Sequence, residues 1–294
     1  MDRRTFITTT GSALLLAPTL VRNALAAREQ SLVAVAEGSD YPAITRRAIN
    51  AVGGMKRFVK PGDVVVVKPN MGWDRSTELA ANTHPQVVRA VVEECLAAGA
   101  RKVKVFDYTC NDSRRCYVNS GIEGALKGIK NVECKQIETE RFRKVTLNGR
   151  FLKEWELYDE ALSADVYINV PIAKHHGLSK LTLGLKNVMG IMGGNRGYIH
   201  RNLDVALADV NAQVKTHLTI IDATRILTAH GPQGGNIADV RVLNKVIAST
   251  DTVAADAFAT TLFGMKPADI PVTVTAYKRG LGEMNLDKIR VVKA

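Results

Sequence analysis

Lysine, asparagine, histidine and aspartate recur directly after the apolar runs of this sequence. Lys68-Pro69-Asn70 follows Val64–Val67, and Asp107 follows Val105-Phe106. Pro171, Lys174, His175 and His176 follow Ile168-Asn169-Val170, Asp222 follows Ile220-Ile221, and Ser249-Thr250-Asp251 follows Val246-Ile247-Ala248. An ammonium at a buried strand end needs a partner or an anion, and Lys68 after four valines is the sharpest case. Lys68 and Lys174 are candidate anchors for a carboxylate or phosphate, with Asn70 and Ser249 as further polar contacts. Lys174, His176 and Asp222 form the candidate catalytic set. His176 is its general acid/base, because imidazole alone titrates near neutrality without perturbation, and Asp222 orients a base or a metal. Adjacent His175 and His176 point opposite ways on extended backbone, so one faces the site, and His176 is preferred. Plainer roles compete: Asp251 as the cap of a helix beginning at Thr252, and Asp107 and Asp222 as caps or turns.

The stretch from Gly184 to His200 carries five glycines together with Lys186, Asn187, Arg196 and His200. Glycines allow close backbone approach to a ligand, and free N–H groups there form an anion nest. A mobile lid or a glycine-rich turn is the simpler alternative. The spacing matches neither a dinucleotide fingerprint nor a phosphate-binding P-loop. Lys68, Lys174, Lys186 and Arg196 together predict an electropositive crevice suited to a small anion, with His200 as a second candidate acid/base. Two histidines and an aspartate are also a possible divalent-metal set, although no compact His spacing supports it. Cys110 and Cys116, with Cys134 as a competing partner, are candidates for a disulfide in an oxidising compartment. Cys95 falls on an apolar helix stripe. The absence of Cys-x-x-Cys spacing argues against an iron–sulfur cluster held by this chain alone.

These residues need elements to position them. Short β-branched runs alternate with helical periodicity, which predicts an α/β fold with a mainly parallel, Rossmann-like, doubly wound sheet. Ligands of open parallel sheets bind outside the carboxyl ends of the strands. Strands are expected at 32–36, 64–68, 102–106, 132–137, 166–170, 218–221 and 246–248. Helices are expected between Pro42 and Gly53, from Pro85 to Gly99 with Thr83 as cap, from about 202 to 214, and from about 252 to 263. Residues 108–160, richer in charge, read as a small irregular inserted lobe.

The N-terminus stands apart. Arg3-Arg4 with Phe6-Ile7, a modest apolar stretch and Ala24-Leu25-Ala26 resemble a twin-arginine export signal, departing from its usual form at Asp2 and Thr8. The expected organisation is a signal peptide over 1–26 and one α/β domain over 27–294, exported to the periplasm through the twin-arginine machinery. The chain has 40 Lys plus Arg against 29 Asp plus Glu, a formal net charge of +11. Removing 1–26 takes away a net +2 and leaves +9. The basic residues are dispersed, without interleaved aromatics, which argues against nucleic acid. No apolar run approaches the roughly 18–20 residues of a membrane-spanning helix.

Several motifs carry a family resemblance. Val67-Lys68-Pro69-Asn70, Asn82-Thr83-His84-Pro85, Pro171–His176, Gly184–Gly190, Asp222-Ala223, Gly231-Pro232 and Ala248–Ala254 occur in this order. Over about residues 64–264 the chain resembles the domain-of-unknown-function 362 family. The resemblance implies an α/β fold and no assigned reaction. Ile172, His175 and Thr252 depart from the family's usual motifs, and the ferredoxin-like cysteine cluster of many relatives is missing. The layout is also loosely similar to lactate-racemase-like nickel enzymes, an analogy of fold alone. The first functional expectation is an enzyme acting on a small anionic substrate. The second is a non-catalytic protein that holds a cofactor, metal or redox partner in the same crevice.

Overall fold

The computed structural model describes residues 30–294. The export signal read over 1–26 lies outside the described residues. Twelve strands follow in chain order: β1 (Leu32–Glu37), β2 (Val64–Pro69), β3 (Lys102–Val105), β4 (Val132–Cys134), β5 (Phe142–Thr146), β6 (Glu154–Tyr158), β7 (Val166–Val170), β8 (Ile172–His176), β9 (Lys180–Thr182), β10 (Leu218–Leu227), β11 (Val240–Ser249) and β12 (Arg290–Lys293). The helices are α1 (Tyr41–Ala51), α2 (Pro85–Ala97), α3 (Ser113–Asn119), α4 (Ile122–Leu126), α5 (Asp159–Leu162), α6 (Gly184–Asn187), α7 (Leu203–Gln213), α8 (Thr252–Thr260) and α9 (Pro271–Lys278).

The main sheet has the order β12-β1-β11-β10-β7-β2-β3-β4, with β8 and β9 continuing beside β10. From β10 through β7, β2 and β3 to β4 every pairing is parallel. A covered parallel sheet needs apolar residues on both faces, and β2 supplies them. Val65 and Val67 pack with α1 and α2 through Ile44, Ile49, Val88 and Val91. Val66 points the other way, into the core that α7, α8 and α9 close with Leu207, Val253 and Ala276. The fold is therefore a doubly wound α/β fold.

Three features depart from the sequence reading. First, β11 runs antiparallel to both β10 and β1. Second, β10 extends to Leu227 instead of ending at Ile221. Third, α2 is capped by His84, whose Nδ1 accepts from the Gln86 N–H, while the Thr83 hydroxyl donates to the Val170 carbonyl at 2.8 Å. Within 108–160, β4 belongs to the main sheet, whereas β5 and β6 form a separate two-stranded sheet. Asp251 caps α8 by accepting from the Ala254 N–H.

Candidate functional site

The crevice forms at a step in the sheet. Lys68 on β2 lies level with Asn169 near the end of β7, and Asn169 lies level with Thr219 at the start of β10. There β2 and β7 stop while β10 runs on. After Pro171 the chain resumes as β8, which pairs with the outer half of β10. Residues of β8 therefore overlook the ends of β2 and β3. The resulting cavity of about 490 Å³ is walled by Lys68, Asn70, Asp107, Lys174, His176 and Lys186, with Asn187, Arg196 and His200 also lining it.

Lys68 and Asp107 form its internally neutralised part. Both are buried, and Lys68 Nζ lies 2.7 Å from Asp107 Oδ1. The ammonium also donates to the Pro69 carbonyl at 2.8 Å and to Asn187 Oδ1 at 3.1 Å. Asp107 Oδ2 accepts from the Met71 N–H at 2.6 Å. Burial pulls Lys68 below the ordinary lysine value, and the Asp107 carboxylate pulls it part of the way back. Gly190 covers this pair. A Cβ there would stand 1.7 Å from Asp107 Oδ1 and 2.3 Å from Lys68 Nζ, so only glycine lets the backbone close over the ions.

Lys174 and Lys186 are arranged differently. Among the described residues, no carboxylate pairs with either of them. Lys174 is fully buried, donates to the Ala81 carbonyl at 2.5 Å and to Asn70 Oδ1 at 3.1 Å, and stands 5.7 Å from the centre of the Trp73 ring. Lys186 is 7% exposed and meets the Met189 thioether at 2.6 Å. Burial lowers Lys174 to about 7 and Lys186 to about 8. Near neutrality these amines exchange protons readily, which suits acid/base work as well as anion binding. The helix that presents Lys186 and Asn187 is anchored from behind. Asp256 accepts from the Gly184 and Leu185 N–H groups at 2.7 and 2.9 Å, and burial pushes its carboxyl up to about 7.

His176 lines the crevice, but its chemistry is constrained. Nδ1 accepts from the Leu178 and Ser179 N–H groups at 3.1 and 3.3 Å, which leaves the ring proton on Nε2. Burial and the nearby lysines lower its pKa to about 3. The ring is thus a neutral hydrogen-bond donor. His175 turns away and accepts from the Gly231 N–H.

Two sequence candidates lie elsewhere. Asp222 is interior to β10 rather than at a strand end. Its Oδ2 accepts from the His84 N–H at 2.7 Å, and its Oδ1 accepts from the Thr224 N–H and hydroxyl. Ser249 follows from the reversed direction of β11, which returns it to the start of β10 opposite Thr219. There its hydroxyl donates to the Leu32 carbonyl and accepts from the Asp251 N–H. Neither lines the crevice. The Asn82–His84 motif is structural as well. Asn82 staples the loop at Trp73 and Arg75, and the Thr83 hydroxyl accepts from the Asn70 N–H.

Arg196 and His200 come from the glycine-rich stretch. The Arg196 guanidinium donates to the Tyr108 and Thr109 carbonyls at 2.9 Å each and lies 4.2 Å from the centre of the Tyr108 ring. Trp73, Tyr108 and Cys110 line the crevice without having stood out as site residues. The first two are isolated aromatics with no periodic signal, and the spacing of Cys110 from Cys116 points to a disulfide as readily as to a site. All four cysteines are free, and of the candidate disulfide pair Cys110 is exposed toward the crevice whereas Cys116 is buried on α3. Among the described residues, no group of three or more His, Cys, Asp or Glu is arranged to hold a metal ion.

Fold and site define a doubly wound α/β protein with a cation-lined crevice at the ends of its parallel strands. The chain belongs to the domain of unknown function DUF362 family, whose model matches residues 65–261. It is also similar to a thylakoid-associated protein of Synechocystis sp., 28% identical over 253 residues, which are 83% of this chain and 77% of that relative. Among solved structures, the lactate racemase apoprotein of Thermoanaerobacterium thermosaccharolyticum aligns with a TM-score of 0.45 and 12% identity. That alignment covers 74% of this chain and 54% of the racemase chain, so this chain spans about half of the racemase's length.

Proposed function

We propose that this protein is an enzyme acting on a small carboxylate or phosphate bound in the step crevice. The observation that carries the reading is the pair of buried lysines, Lys174 and Lys186, without a carboxylate partner among the described residues. Two desolvated ammonium groups facing one cavity are costly when it is empty, and an anion between them removes that cost. Arg196 adds charge at the rim, and Asn70 and the His176 Nε2–H supply directional hydrogen bonds. The proton-transfer group is a lysine amine rather than His176, because the lysines exchange protons near pH 7–8 and the histidine is held neutral. Asp256 keeps Lys186 and Asn187 in place.

A thermal-shift series with inorganic phosphate and small carboxylates tests this reading. Wild-type protein is expected to gain stability with at least one such anion, and the Lys174→Met/Lys186→Met variant to lose that gain. Equal gains in both proteins would overturn it.

We also propose that the chain is exported to the periplasm through the twin-arginine machinery, a reading supported by Arg3-Arg4, Phe6-Ile7 and Ala24-Leu25-Ala26. Cell fractionation of wild type against Arg3→Lys/Arg4→Lys tests it. Export undiminished in the variant would count against that route.

A further inference from the structure

The four cysteines occupy contrasting settings. Cys95 is buried on α2, and burial pushes its thiol far above the ordinary range. Burial also raises Cys134 to about 12 and Cys116 to about 11. Such thiols are inert. Cys110 alone among the four is exposed, and it stands on the wall of the crevice with Lys174, Lys186 and Arg196. Its N–H donates to the Gly72 carbonyl at 2.8 Å, and a Cβ on Gly72 would lie 3.9 Å from its sulfur. The preceding residues are fixed by Arg196, which grips the Tyr108 and Thr109 carbonyls. The sulfur is therefore placed against the crevice by a braced segment. A thiolate at this point acts on both buried lysines, offsetting part of the lowering that burial causes. Independently of the cysteine, Lys186 is more than nine-tenths buried and lines the same cavity without a carboxylate partner among the described residues, which itself calls for an anion.

We propose that Cys110 is the nucleophile of the crevice and that its thiolate adds to the carbonyl carbon of a small aldehyde or keto acid whose anionic group is held by Lys174 and Lys186. This rests on the anion-binding reading above and names the substrate class within it. In the step, a sulfur electron pair forms the S–C bond and the C=O π pair moves to oxygen. That oxygen takes a proton from the Lys186 ammonium, leaving a neutral amine and a hemithioacetal or hemithioketal. No oxidant, reductant or further reactant is required.

Alkylation of the purified full chain, followed by intact and peptide mass spectrometry, tests the placement of the thiol. Iodoacetate and iodoacetamide both react by sulfur displacing iodide, and they differ in that only the former is an anion. Cys110 is expected to be modified first. Its iodoacetate-to-iodoacetamide rate ratio is expected to exceed that of free cysteine by about 10-fold or more, the lower end of electrostatic attraction into a charged cleft. Lys174→Met/Lys186→Met should abolish that excess while leaving Cys110 open to iodoacetamide and buried Cys95 and Cys116 protected from it, the protection showing that the variant is folded. Glyoxylate, a small aldehyde carboxylate, should protect Cys110 from iodoacetamide reversibly on dilution. A rate ratio no higher than that of free cysteine, or no protection by glyoxylate, overturns the proposal. Phosphate-induced thermal stabilisation of Cys110→Ser separates the two readings. If it persists while alkylation shows no preference, the nucleophile is wrong and anion binding stands. If phosphate and the small carboxylates fail to stabilise wild type as well, both readings fall.

Discussion

Two clusters of charge in this molecule are built from the same kinds of side chain and neutralised to different degrees. Around Glu160, one carboxylate 2% exposed is surrounded by Lys104 Nζ at 2.9 Å, Lys135 Nζ at 2.8 Å and the Arg141 guanidinium. Burial works to raise the Glu160 pKa, but Lys135 and Lys104 outweigh it and hold the carboxyl below its ordinary value. In the crevice, one carboxylate, Asp107, is used up by Lys68, and among the described residues Lys174 and Lys186 remain without such a partner. The cations around Glu160 are shared with Glu133, Glu138 and Asp159 and also reach water, so that cluster is neutralised from within. The crevice is incomplete by at least one negative charge. The difference teaches that a count of charged residues says little about function, whereas a buried imbalance points to a ligand.

That contrast can be broken at its strongest point. Asp107→Ala leaves Lys68 buried without its counter-ion and is expected to cost about 3–5 kcal/mol in urea unfolding, the usual penalty for breaking a buried pair. Lys186→Met should do the reverse to the ligand-free protein. It removes an unpaired buried ammonium, so stability at pH 6 is expected to rise by about 1 kcal/mol. Phosphate affinity in calorimetry should meanwhile fall about 10- to 100-fold, the weight of a charged hydrogen bond. A variant that lost stability and kept affinity would erase the distinction between the clusters.

The two regions should also answer pH in different windows. Lys174 falls from 10.5 unfolded to about 7 folded, so the unfolded chain holds more protons between those values and stability from this group rises with pH across them. Anion affinity moves the other way, weakening as pH climbs through 7–8 and the amines lose their charge. Glu160, held below 4.5, contributes stability above its unfolded value that is lost as pH falls through the folded one. Denaturation series from pH 3 to pH 10 on wild type, Lys174→Met and Glu160→Gln should separate these limbs, and one shared window would contradict the assignment. Glu160→Gln itself is expected to cost about 1–3 kcal/mol, limited because its cations are partly solvated. The smallest effect expected is that of Ser249→Ala, about 1 kcal/mol of stability for its hydrogen bonds, with phosphate affinity unchanged.

Much of the frame was legible because parallel strands write themselves as unbroken β-branched runs. The apolar run Val166–Val170 coincides with β7 residue for residue, and β2 exceeds its run only by Pro69. Local patterns could not show direction. The segment from Leu218 to Ser249 reads as a strand, a long connection and another strand, yet it folds as two ten-residue antiparallel neighbours. Asp222 resembled a strand end because a lone carboxylate breaks an apolar run. Its donors, the His84 N–H and Thr224, come from a distant segment and from two residues on. The crevice lysines were visible from their positions. The pairing of Lys68 with Asp107, which leaves the other two without a carboxylate, depends on Gly190 closing over the ions and exists only in three dimensions.

The step at Pro171 divides the crevice into walls of different origin. Lys174 and His176 sit on β8, hydrogen-bonded into the sheet on both sides, so altering that wall means altering the scaffold. Tyr108 and Cys110 on one loop and Arg196 on another meet it from across the gap, in segments free to change length without disturbing a strand. The strand wall thus fixes Lys174 and His176 with the sheet, whereas the loop wall, with Tyr108, Cys110 and Arg196, sets what the crevice admits and can be remodelled without moving those two.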